Sequence, residues 1–380
     1  MTLGGNMKKL LYAILPSLLI LPARADDAAL LEKAQAIHKR IITFDSHLDL
    51  PFDYTGAAED GKTQFDLPKV ARGQLKGAAL AVFVPQGPRT PEGYAKARED
   101  ADKKLALIKA VAEQNPKLAE LAYSPADVRR IASEGKFAVA ISLLNAYPLG
   151  PVLTERGSDL SQIDEWYKRG VRIFGYVHAG HNDWADSSRP NKKLGDATEE
   201  HNGLSEPGRR GVARLNQLGV LIDVSQLSSP AFAQVLSLTK APVVATHSGI
   251  KSIVNVGRNL SDEELELIRK NGGVVQIVAF SNYLRPAPEG ATEGKPAPPA
   301  TVAQLVDSID YAVKKIGIDH VGISSDFNHG GGVAGWQNEG EAQNVTVELL
   351  RRGYSEKQIA KLWGGNLLRV WGEAQKAAKH

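Results

Sequence analysis

The stretch IITFDSHLDL, residues 41–50, decides the fold. Its apolar, β-branched start reads as a strand. His47 and Asp49 flank Leu48, so on a strand both side chains project to the same side. Pro51 follows at once. A doubly wound dinucleotide-binding sheet would carry a glycine-rich turn after its first strand, and none is present here.

Seven further runs of the same kind lie at 75–84, 137–146, 171–180, 219–227, 241–249, 272–280 and 320–327. Most are continuously apolar, as parallel strands covered on both faces must be. Helical patterns separate them, at 91–114, 124–133, 158–169, 207–218, 229–239, 261–270 and 301–316. Ser124 with Pro125 forms an N-cap and first helical turn, and Ser261 with Glu264 forms a capping box. The segment from 355 onward reads as helix packed outside the repeat. Strand–helix alternation of this length predicts a (β/α)8 TIM-type barrel, whose site lies at the C-terminal ends of the strands.

Four side chains with metal-ligand chemistry stand at those ends. His47 and Asp49 close the first strand, His247 closes the sixth and Asp326 closes the eighth. Each alone reads as a hydrogen-bonded core residue. Together they converge on one mouth, and imidazole with carboxylate suits a divalent cation. Two long connections, 51–68 and 283–300, leave from the same end and are expected to wall the site.

The N-terminus is a separate object. Lys8 and Lys9 precede an apolar stretch, 10–21, and Ala23-Arg24-Ala25 offers a cleavage site. This reads as a secretory leader, 1–25, cleaved from a single mature domain, 26–380, which is exported to the periplasm or secreted. The stretch is too short to span a bilayer, which needs about 20 apolar residues, and no later segment is long and apolar enough. The formal charge of +3 becomes neutral once Lys8, Lys9 and Arg24 are removed, so nothing favours nucleic acid as a partner. The chain has no cysteine, which excludes thiolate ligands, a cysteine nucleophile and disulfides.

Seven motifs stand in order: His47-Leu48-Asp49, GVRIFGYVH at 170–178, GVLIDVS at 219–225, APVVATHS at 241–248, Arg258-Asn259-Leu260, DHVGISSDF at 319–327 and Gly364-Gly365-Asn366. In these the chain resembles the renal (membrane) dipeptidase family of zinc peptidases, within the amidohydrolase barrels, over essentially the whole mature sequence. The resemblance implies hydrolysis of a dipeptide or similar small substrate by metal-activated water. His178 would polarise the scissile carbonyl, Arg258 would grip the free carboxylate, and Asp326 would be both ligand and proton carrier. It also implies a two-zinc site and suggests a homodimer.

Two positions depart from that pattern. The residue after Asp-Val-Ser, a second histidine ligand in the family, is Gln226. The bridging glutamate at the end of the third strand is Leu144. Two close cations need an anionic bridge to offset their repulsion. The expectation is therefore one well-held ion, most simply zinc, at His47, Asp49 and Asp326 with His247 beside it, and a second site weak or empty. The alternative is a catalytically impaired protein of the same fold that binds a dipeptide-like ligand.

Overall fold

The computed structural model describes residues 21–151, 153–154, 157–286 and 299–378. Most of the leader (1–20) and most of the second long connection (287–298) lie outside the described residues.

In the run Gly77-Ala78-Ala79-Leu80-Ala81-Val82-Phe83 every residue is buried, on alternating faces. Ala78, Leu80 and Val82 join the large cluster shared with the helices. Ala79 belongs to a second cluster, and Ala81 and Phe83 to a third, small one. This two-sided burial is what a continuously apolar run requires of a parallel strand.

The barrel strands are β1 (Phe44–Leu48), β2 (Gly77–Phe83), β3 (Phe137–Leu144), β4 (Val171–Gly175), β5 (Leu221–Asp223), β6 (Val244–Ser248), β7 (Val274–Val278) and β8 (Val321–Ser324). They pair in chain order, all parallel. A bridge between Leu48 and Phe327 brings the last strand back to the first. Two backbone bonds make that closure, Asp326 N–H to His47 O at 3.1 Å and Asp49 N–H to Phe327 O at 3.0 Å. Three of the four candidate ligands are thus stitched together by the seam. A short strand, Ala119–Leu121, adds to the outer side of β3.

The outer helices begin on strong caps. Ser124 accepts from Asp127 N–H at the start of α3 (Pro125–Ser133), after α1 (Leu21–Arg40) and α2 (Pro91–Glu113). Then follow α4 (Ser161–Lys168), α5 (Glu206–Leu218), α6 (Ser229–Leu238), α7 (Asp262–Asn271) and α8 (Val302–Ile316). The last two open on full capping boxes, from Ser261 and Thr301. Helix α9 (Gln343–Arg351) packs on α1, where His38 shares a hydrogen bond of 2.7 Å with Thr346.

The C-terminal helix, α10 (Asn366–Ala377), corrects one expectation. It is not an outer-ring element. Leu367, Val370 and Trp371 join Phe44, Ala79, Ala138, Ile173, Leu221, Val244 and Val274 in one cluster. These strand residues lie at or near strand starts, so α10 stops the barrel at the end opposite the candidate ligands. Small interior residues such as Ala79 and Ala138 leave room for that plug. Among the described residues no helix is long and apolar enough to cross a membrane.

Candidate metal centre and active site

The site is built where the strands stop. Asn145, Gln226 and Asp326 lie just beyond β3, β5 and β8, with φ of 75°, 68° and 57°. Side chains other than glycine seldom adopt this left-handed region, and such strain collects at functional rims. The turn re-aims each side chain across the mouth.

Ligand atoms of His47, His247 and Asp326 all lie within 4.8 Å of one another, and all three residues are buried. His47 Nε2 is 3.5 Å from Asp49 Oδ2 and 3.8 Å from Asp326 Oδ1. The rings of His47 and His247 stack at 4.0 Å. His47 Nε2, both carboxylate oxygens of Asp49 and Asp326 Oδ1 have no hydrogen-bond partner. Leaving four buried polar atoms unpaired costs several kcal/mol, about 1–3 for each. A divalent cation removes that cost, and a mixed imidazole–carboxylate set fits zinc or a similar ion.

The electrostatics point the same way. Burial opposes protonation of His47, but Asp49 and Asp326 outweigh it and raise its pKa. Burial pushes Asp326 up to about 7, against the pull of His47 and Arg258. The cluster therefore holds protons where a cation would otherwise sit, and binding a metal would displace them.

His247 is oriented from behind. Asp223 accepts from Thr246 Oγ1 at 2.5 Å and from Thr246 N–H at 3.0 Å. Thr246 Oγ1 is 2.8 Å from His247 Nδ1. Because the Thr246 hydroxyl proton goes to Asp223, its oxygen accepts from Nδ1–H, which leaves the lone pair on Nε2. Burial, followed by repulsion from His47 and Arg258, keeps His247 neutral, with its pKa well below the usual value.

Gln226 uses that lone pair. Its amide nitrogen lies 2.9 Å from His247 Nε2. Its carbonyl oxygen accepts from Arg189, so it is not free to serve as a ligand. Arg189 Nη2 is also 3.3 Å from His178 Nε2. A guanidinium has no acceptor, so His178 accepts there. Burial, then Arg189 and His329, holds His178 well below the usual imidazole pKa.

Leu144 occupies the inner top layer. It pairs in register with Phe83 of β2 and Gly175 of β4. It clusters with Ala81 and Phe83, and Phe83 packs on His178 and His329 at 4.5 and 4.7 Å. A Cβ at Gly175 would lie 3.2 Å from Leu144 Cδ1 and 3.4 Å from Asp223 Oδ2. This side of the mouth is hydrocarbon and aromatic, with no carboxylate from residue 144.

Arg258 is buried and donates to His247 O, under the Tyr283 ring at 4.5 Å. The polar segment after His178 is largely scaffold. Asp186 accepts from the N–H groups of Glu200, His201 and Gly203. Asn182 ties to Asn145 Oδ1 and Tyr176 O, and His181 to Ser187 N–H and Ala197 O. The first connection reaches the seam: Gln64 and Asn328 exchange bonds of 3.0 and 2.7 Å, and Asn328 donates to Asp49 O.

Sequence reading missed Arg189, His329 and Tyr283. His329 had a usable signal, three residues past Asp326. Arg189 had almost none, since its place depends on a loop folding back over two strands.

A closed parallel barrel with histidines and aspartates placed to hold a metal at its C-terminal mouth defines the class of metal-dependent amidohydrolase barrels. The model of the membrane dipeptidase family (peptidase family M19) matches residues 31–380, and the chain belongs to that family of metallo-dipeptidases. It is 43% identical to the probable dipeptidase PvdM from Pseudomonas aeruginosa, covering 92% of this chain and 99% of that one, with a TM-score of 0.87. It is 28% identical to dipeptidase aclJ of Aspergillus oryzae, over 83% of this chain and 71% of the relative. A metallo peptidase from Rhodobacter sphaeroides, liganded with a phosphinate mimic of the dipeptide L-Ala-D-Ala, shares the fold: TM-score 0.75, 22% identity, 88% and 99% coverage.

Proposed function

We propose that this chain is an exported dipeptidase working with one tightly held divalent ion, zinc being the simplest choice. The observation that carries this reading is the set of buried, unpartnered atoms on His47, Asp49 and Asp326. These three would hold the ion, with His247 beside them. When bound, the ion supplies Lewis acidity and makes water more acidic. A second ion lacks its supports. Residue 144 offers no bridging charge, and Gln226 and His247 are bonded to each other. A catalytically impaired binder of dipeptide-like ligands is the second reading, favoured by Leu144.

The chain's own residues supply the rest. Arg258, which has a spare Nε–H, would take the free carboxylate of a short peptide by charge-assisted bonds. That contact limits substrates to dipeptides and close analogues. His178 would sit beside the scissile carbonyl. Asp326 would accept a proton from the attacking water and deliver it to the leaving amine. Phe83, packed on His178 and His329, would face the substrate from the apolar side of the mouth. Residues 1–25 would be removed on export, leaving one barrel domain, 26–380. The cut would fall within the first turns of α1. A homodimer is proposed on family resemblance alone.

The test is a panel of L,L and L,D dipeptides with metal-free and zinc-, manganese- or cobalt-loaded protein. Metal-dependent release of free amino acids is expected. No release from any pair, with metal bound, would leave the binder as the better reading.

A further inference from the structure

Arg189 is a charge at the mouth for which the sequence motifs give no role. It lies in no family motif, yet three elements fix it. Ser187 pairs with Leu227 just past β5. Ser188 N–H donates to Gln226 O at 2.8 Å, and Gly180 N–H donates to Arg189 O at 2.8 Å. Ser187 Oγ, bound to His178 O, accepts from Arg189 N–H at 3.1 Å. The backbone is therefore anchored on both sides before the side chain begins.

The side chain then reaches Gln226, which stands where a ligand of a second ion is expected, and His178, which would face the scissile carbonyl. Its Nη2 donates to Gln226 Oε1 and to His178 Nε2. By taking the carbonyl oxygen of Gln226 it turns the amide nitrogen onto His247 Nε2. One guanidinium thereby blocks two potential ligand atoms and brings a permanent positive charge. His178 Nε2 already accepts from Arg189, so the proton at this point of the mouth is carried by the arginine. Arg189 Nε remains buried without a partner, a donor still to be used.

We propose that Arg189 is a catalytic residue of this chain: its guanidinium, aimed by Gln226 and His178, takes the place of a second cation and donates to the carbonyl oxygen as that oxygen gains charge. This deepens the one-ion reading above and rests on it. Preorganised donors of this kind act without reorganising when charge develops. Arg189 would thus compensate for the loss represented by Leu144 and Gln226, and the three residues form one substitution set.

Two measurements test this on the full chain. The first counts zinc per chain by plasma mass spectrometry after equilibration with zinc and gel filtration. Wild type and L144E/Q226H should each hold one ion, and L144E/Q226H/R189M should hold two. Uptake of a second ion by L144E/Q226H with Arg189 present would overturn the proposal. The second compares zinc-loaded wild type and R189M, with R189K as a conservative control, by calorimetry. A phosphinate dipeptide mimic should bind R189M about 100-fold more weakly than wild type, while binding of the two product amino acids changes far less. R189K should recover part of the difference. Equal phosphinate affinity in R189M and wild type would also overturn it. Two ions in wild type would instead sink the one-ion reading itself, independently of the Arg189 variants. If the triple variant fails to fold, the calorimetric arm still decides.

Discussion

Gln226 presents its amide nitrogen, not its carbonyl oxygen, to Nε2 of His247 across 2.9 Å. A residue that stands where a ligand is expected is therefore a donor to the neighbouring candidate ligand. This arrangement makes the mouth asymmetric. On the His47–Asp49–Asp326 side, unpaired acceptors await a cation. On the Gln226–His178 side, a guanidinium is already in place.

Removing an acceptor on the first side should remove the ion. Asp326→Asn keeps the shape but loses the charge. Its zinc affinity should fall by more than the 10- to 100-fold that loss of a supporting residue typically costs. Turnover should fall with it. Competition against a chelator of known strength reads the affinity, and near-wild-type binding would exclude Asp326 as a ligand.

Nε2 of His247 joins the ion only by exchanging the Gln226 amide for it, and the Asp223–Thr246 pair behind the ring should then matter without touching the ion. Thr246→Val deletes the acceptor for Nδ1–H and frees the ring to take the other tautomer. Zinc affinity is expected to drop about 10- to 100-fold with the fold intact. Circular dichroism and the same chelator competition separate the two effects. An unchanged affinity would mean that His247 does not help hold the ion.

Arg258→Met should act on substrate recognition. For dipeptides with a free carboxylate, kcat/KM should fall by roughly 2–4 kcal/mol, mostly through KM. Dipeptide amides, which lack the carboxylate, should be nearly insensitive. Equal losses for both substrates would show that Arg258 supports the site instead of reading the substrate.

His38 gives a pH prediction far from the mouth. Burial lowers its pKa to about 4, against a raising contact with Gly73 O. It is wedged between Gly73 O, at 3.1 Å, and Thr346, which also accepts from Trp363 Nε1. A depressed histidine pKa favours the folded state while the ring is neutral. This contribution is complete above the unfolded pKa near 6.5. It is lost as pH falls toward 4, on the order of 3 kcal/mol at most. Denaturant midpoints from pH 7 to pH 4 should therefore fall more steeply for wild type than for His38→Gln. Parallel slopes would contradict this.

Much of the barrel was legible because parallel strands in a closed sheet must be apolar on both faces, and eight such runs stand out. The caps at Ser124 and Ser261 were readable because side-chain capping is local. Each strand ladder proved shorter than its apolar run, since the last residues leave the sheet to form the rim turns: Asp49, Asn145, Gln226 and Asp326 all lie past strand ends. The role of α10 as a plug was hidden, because an amphipathic pattern does not say which surface it meets. Arg189 was hidden for a deeper reason. Its position is set by a bond to Gly180 and by one to Gln226, 37 residues away, a contact that no short window of sequence contains.

The most direct test is the metal content of protein purified without added metal, measured with protein concentration on the same sample. One tightly retained divalent ion per chain is expected, lost in Asp326→Asn. Two tightly retained ions, or none even after exposure to zinc, would contradict a single-ion centre at His47, Asp49 and Asp326.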